Sequence, residues 1–281
     1  MILLKNISSR PLPPVRRCSL LAPTPRHPQA NDEGLDFIER AVGKLFGRRA
    51  LNDPSPGGLK RLSADEVPEM YPATTTEWAP PLEGDAPDVA LLRPLLARTQ
   101  LERTPLRLAY DSDVDGWSGE RFHGVDGVEG GVDGFGAALV VCETEGGAVC
   151  GGYNPRGWIG LGEDRDAIAA FLFSWPDGDT SQRPIKLPKV GGPSLAVTGD
   201  RPGEGPQFGA EGLTVKMAAG AERTAKSRLG TFYARMPGKV RHVFAPQENP
   251  RGAQLRRLRA YVGVGEGEQW ELDGIVWRTS V

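Results

Sequence analysis

Residues 137–153, AALVVCETEGGAVCGGY, decide the fold. The stretch opens on six apolar residues in a row, and such a run buries both faces of a strand rather than one. Gly146-Gly147 breaks it, and a second apolar strand, AVCGGY, follows at once. The pair reads as two adjacent strands about a glycine turn. A three-residue loop places Cys142 opposite Cys150, whereas a two-residue loop shifts that register.

Further strand candidates lie on either side. LRLAY (106–110) alternates Leu106, Leu108 and Tyr110 as a half-exposed strand would. AFLFSW (170–175), PSLAV (193–197), GLTVKM (212–217), LRAYVGV (258–264) and EQWELDGIVW (268–277) follow, separated by Gly, Pro and Asp clusters. The 37 glycines and 25 prolines of the 281 residues fit a loop-rich β fold. Helical pieces are brief: DVALLRPLLART (88–99) is an apolar helix that Pro94 must kink or divide. Together these imply a mainly β (α+β) domain of two packed antiparallel sheets, flanked by short helices.

Upstream, residues 53–87 are rich in proline, threonine and acid and read as a Pro-rich linker or extended wrap. Before it, residues 32–52 place Leu35, Ile38, Val42, Leu45 and Phe46 at helical spacing behind Asn31 or Asp32 as cap. Residues 1–31 carry Lys5, Arg10, Arg16, Arg17 and Arg26 and no acid. Such a leader is similar to an organellar transit peptide, chloroplast or mitochondrial; a disordered basic tail on a cytoplasmic protein is the alternative. The remainder holds 29 basic against 36 acidic side chains, which does not favour a nucleic-acid surface. No apolar run reaches the ~20 residues that span a bilayer.

Motifs that carry chemistry are incomplete. Asp111, Asp113, Asp115 and Gly116 match the first half of a calcium loop, but Phe122 stands where a bidentate glutamate should close it. The favoured reading is a turn at Asp115-Gly116, a helix capped by Ser118, and Phe122 packed beneath. GAERTAKS (220–227) resembles a phosphate loop with Ala225 in place of its second glycine, so Arg223 and Lys226 are expected in a solvated, mobile segment. His27, His123 and His242 show no ligand spacing. No metal, cofactor, small-molecule substrate or catalytic residue is expected. Cys142 and Cys150 are the candidate redox pair, although acidic Glu143 and Glu145 beside them disfavour a reactive thiolate.

The order of these motifs is more specific than any one of them. A kinked leucine helix, a strand ending in Tyr110, the turn DGWS with Phe122-His123, an apolar strand, GGY with Trp158 after it, AFLFSW, and later FGAEGLTV resemble the TLDc domain over residues 88–281. That family implies a β-sandwich with helices at its sides. It also implies that Gly151-Gly152-Tyr153 ends a central strand, that Gly151 or Gly152 allows close backbone packing, and that Tyr153 and Trp158 seal an edge. Asn154-Pro155 supplies the turn, and Phe208-Gly209 belong to the same set. One departure is DGIVW, with Ile275 where the family carries a glutamate. The resemblance implies a non-catalytic interaction module contributing to oxidative-stress protection through a protein partner, such as a proton pump. The alternatives are a thiol-based redox protein or enzyme using Cys142 and Cys150 and a calcium-regulated binder through the Asp111 loop.

Overall fold

The computed structural model describes residues 66–124, 130–218, 220, 222–264, 269–272 and 275–278, all within the unit Leu62–Val281. The expected leader (1–31), the amphipathic helix (32–52) and the first part of the linker lie outside the described residues. Among the described residues no helix is long and apolar enough to cross a membrane.

The described chain is mainly β. Strands β1 (Leu106–Asp111), β2 (Ala138–Thr144), β3 (Val149–Asn154), β4 (Phe171–Trp175), β5 (Ile185–Pro188), β6 (Gln207–Phe208), β7 (Leu213–Lys216), β8 (Thr224–Lys226) and β9 (Ala253–Gly263) form one antiparallel sheet. Its order is β5-β4-β3-β2-β9-β8-β7-β6, with β1 also paired to β9. A separate hairpin joins β10 (Gln269–Leu272) to β11 (Ile275–Arg278). The hydrogen bonds are thus continuous through a single open sheet. Phe208 on β6 nevertheless lies over Gly152 on β3, so the sheet curls into facing layers, an arrangement compatible with a sandwich.

The hairpin of β2 and β3 takes the three-residue loop: Cys142 faces Cys150, and Thr144 donates its N–H to the Ala148 carbonyl at 2.9 Å. Gly147 closes this loop at φ +95°, a conformation that suits glycine. Because side chains alternate across a strand, the apolar run of β2 serves two cores. Ala138, Val140 and Cys142 enter one; Leu139 and Val141 enter the other.

The second core also receives Tyr153, Phe171, Phe173 and Trp175 and is roofed by α1 (Pro87–Leu92) and a 3-10 turn, Arg93–Leu96. Pro94 sits in that turn and divides the helix where the sequence requires it. Val89, Leu92, Leu95 and Leu96 are buried beneath the roof, each burial contributing roughly 1.5–3 kcal/mol. The end of the linker wraps here rather than standing free. Trp78 packs on the core, and Asp85 grips the buried Arg93 at 2.9 Å to Nε and 2.6 Å to Nη2. Arg93 also donates to the Leu101 and Thr104 carbonyls at 2.7 and 2.9 Å, so its charge is fully solvated by protein.

Several sequence expectations need correction. A bulge between Leu108 and Tyr110 breaks the alternation of β1, so Leu106 packs on the second core and Tyr110 enters the first, while Leu108 is 44 % exposed. PSLAV is not a strand; Val197 makes only isolated bridges, to Arg165 and Phe208. Strands β5, β6 and β8 were not evident. β5 is flanked by prolines and carries lysine, while β6 is two residues long. Within the segment compared with a phosphate loop, Thr224–Lys226 form β8, paired on both sides and without a helix after it, so Arg223 and Lys226 are exposed as expected but Lys226 lies on a strand rather than in a loose segment.

Two outcomes follow from this packing. A Cβ at Gly151 would stand 1.9 Å from the Val140 carbonyl oxygen, whereas one at Gly252 would meet nothing within 4 Å. Gly151→Ala should therefore lower unfolding stability by about 3 kcal/mol or prevent folding. Gly252→Ala should change it by less than about 0.5 kcal/mol in urea titration, and equal effects would contradict the packing.

Lys186 on β5 is 6 % exposed, its Nζ lies 4.3 Å from the Phe171 ring centre, and no hydrogen-bond acceptor among the described residues meets it. Burial pushes its amine down from 10.5 to about 8, partly countered by Glu77 and Glu102. Between these two values the unfolded chain holds the proton that the folded chain has released, so this group makes stability rise with pH. Lys186→Met should be more stable than the parent at neutral pH by up to about 3 kcal/mol. Urea unfolding across the window should show that advantage shrinking as pH rises; a flat difference would exclude it.

Candidate functional site

The motif residues of the sequence converge on one aromatic column. The Asp115-Gly116 turn ends α2 (Ser112–Asp115), with Gly116 at φ +75° and its carbonyl accepting the Tyr110 hydroxyl at 2.5 Å. Ser118 caps α3 (Gly119–His123), and Phe122 from that helix is wholly buried. Its ring meets Tyr110 at 5.5 Å and Trp158 at 5.4 Å, and Trp158 meets Phe208 at 5.9 Å, each edge to face. That geometry suits the ring quadrupoles and adds about 0.5–1.5 kcal/mol per pair beyond area.

Trp158 is carried there by the turn after β3, in which Asn154 accepts from the Arg156 N–H at 2.9 Å and donates to the Gly157 carbonyl at 2.7 Å. Tyr153 is not its companion at an edge. It points to the opposite face, stacks on Phe171 at 5.2 Å, and belongs to an interior strand. Gly209, at φ +65°, follows Phe208 and turns the chain beneath Phe232 and Tyr233.

Beside the column lies a cluster that sequence spacing did not reveal. His123, the last residue of α3, places Nδ1 2.7 Å from Asp133 Oδ1 and 3.7 Å from Asp200 Oδ1. Asp200 is buried and accepts the N–H groups of Ile159 and Gly160 at 2.9 and 3.1 Å, with Arg165 Nε at 3.9 Å. Burial raises the Asp200 carboxyl above the ordinary carboxylate range and the Asp133 charge adds to this, while the two N–H donors and His123 oppose it. Among the described residues these three side chains form a histidine and carboxylate group whose ligand atoms lie within 4.8 Å of one another, close enough to share a cation. Every one of them also has a protein partner. His123 is 1 % exposed, so its ring is shielded from solutes, and the cluster ties α3 to two distant loops. The only hint in the sequence was His123 directly after Phe122.

The candidate thiols are closed in the same sense. Cys142 and Cys150 are both free and wholly buried in the first core. The Cys142 thiol and burial push Cys150 well above its ordinary value, the reverse of what a nucleophilic thiolate needs. The loop with calcium-like spacing is likewise engaged. Asp111 caps α2 and accepts Arg257 Nε at 3.0 Å, Asp113 faces the same guanidinium at 3.2 Å, and Asp115 accepts the Asp111 N–H at 2.8 Å. Burial alone would raise Asp111; Arg257 and the Asp113 N–H outweigh it and hold the carboxyl low.

On the outside, the face of β6–β8 opposite the core forms an open groove of about 760 Å³. Strand alternation builds it, because Phe208, Leu213, Val215 and Ala225 turn inward and Gln207, Thr214, Lys216 and Lys226 line the groove. Arg228, Arg241 and Arg251 complete its rim. No family model matches the chain, and no curated protein matches it either.

Alkylation checks the assignment of the thiols. Iodoacetamide should leave Cys142 and Cys150 unmodified in the folded protein and label both in denaturant, as read by peptide mass mapping. Labelling of either in the folded state at the rate of a free peptide would contradict their burial.

Proposed function

We propose that this chain is a non-catalytic protein-interaction module of the TLDc type. It contributes to protection against oxidative damage by binding a protein complex, such as a proton pump, in a chloroplast or mitochondrion. The reading is supported by the succession of motifs that resembles the TLDc domain. The observation that carries it is the basic groove on β6–β8. The cations there face solvent, while His123, Asp111, Cys142 and Cys150 are each committed to protein neighbours. A surface concentrating exposed charge of one sign recognises a partner and speeds its encounter.

Rescue in cells tests the reading. Cells depleted of the protein should lose peroxide survival and regain it equally with the wild type and with the double variant Cys142→Ala/Cys150→Ala. Cross-linking in the organelle fraction should recover the same protein complex in replicate preparations. A folded double variant that fails to rescue would establish thiol chemistry instead, and recovery of no specific partner would overturn the interaction reading.

A further inference from the structure

Resting on that reading, we infer that the groove on β6–β8 is a docking site for an extended acidic segment of a partner protein, with carboxylates at alternate positions. Five cations line it: Lys216 on β7, Lys226 on β8, and Arg228, Arg241 and Arg251 from the adjoining loops. Arg228 is paired, to Glu211 at 2.7 Å. The other four have no ion pair among the described residues, and all but the half-buried Lys216 are exposed. The chain as a whole carries a formal charge of −2, so this concentration of positive charge is local rather than a property of the whole surface.

The choice of occupant follows from chemistry and spacing. The Arg228–Glu211 pair is an internal example of what the groove accepts, a carboxylate held by a guanidinium at its wall. Register places Lys226 opposite Thr214 and Lys216 opposite Thr224, so the two lysines are diagonal neighbours on one face. Such neighbours lie roughly 7–8 Å apart. Alternate residues of an extended chain are about 6.7 Å apart, which brings one carboxylate to each lysine. Among the described residues no aromatic ring lines the groove to stack a base, and a net acidic chain repels a long polyphosphate, so nucleic acid fits less well.

Fluorescence anisotropy with the full chain tests this, using a labelled alternating Glu-Ser decamer, a Gln-Ser decamer and a single-stranded oligonucleotide as probes. The Glu-Ser peptide should bind at low salt and weaken steeply as salt rises, while the Gln-Ser peptide should not bind. The double variant Lys216→Glu/Lys226→Glu should lose at least about tenfold in affinity, whereas Arg121→Glu, on α3, should leave it unchanged. Thermal unfolding checks that the variants fold, and Lys226→Gln with Arg241→Gln replaces the reversal if it does not. Equal affinity of the folded groove variant, or tighter groove-dependent binding of the oligonucleotide, would overturn the assignment. If the groove variant still recovers the cellular partner in cross-linking, the groove assignment falls and the interaction reading stands; if the wild type recovers none, that reading falls whatever the peptide does.

Discussion

The structure depends on two consecutive positions without side chains in the middle of a sheet. At Gly151 the Val140 carbonyl occupies the space a Cβ would need, and at Gly152 the Phe208 and Leu172 side chains do so. One glycine lets neighbouring backbone approach, and the other lets the curled end of the sheet press against its centre. The closeness of Phe208 then sets the position of Trp158, and through it those of Phe122 and Tyr110. Larger residues at this pair would hold the layers apart and open cavities on the scale that costs several kcal/mol in a packed interior.

Much of the fold was legible because burial on both faces writes an unbroken apolar run. β2, β3 and β4 are largely apolar, broken only by Glu143 and Thr144, by Asn154 and by Ser174, and all three are interior strands. Pro94, Ser118 and Gly116 marked a helix break, a helix start and a turn by local chemistry alone. Strands whose pattern is not apolar on the core side escaped notice. β8 shows the core one residue, Ala225, between Thr224 and Lys226, and β5 buries Lys186 in place of an aliphatic chain. The bulge in β1 defeated a period-2 reading, since one extra residue reverses every side chain after it.

The polar site was harder to read for a different reason. His123, Asp133 and Asp200 come from a helix end and two loops, and no spacing rule connects carboxylates that tertiary folding alone brings to one imidazole. The groove on β6–β8 was hidden too, because its lysines belong to two strands, one of them unrecognised. The resulting division of labour is consistent. Inside the molecule Arg93, Asp111, His123 and Asp200 are matched by neighbours that fix the loops, with Lys186 the exception, and the cations of the groove lie on the outer face.

Native-state amide hydrogen exchange tests the dependence on the β2–β3 pair most directly, because it reports the free energy of opening residue by residue. The amides of Val140, Val141, Gly151 and Gly152 should exchange only through global unfolding, with protection equal to the stability measured by urea and unmatched by β5 or β6. Exchange of these amides by smaller openings, while other strands stay protected, would contradict the central claim that the glycine-centred hairpin holds both cores together.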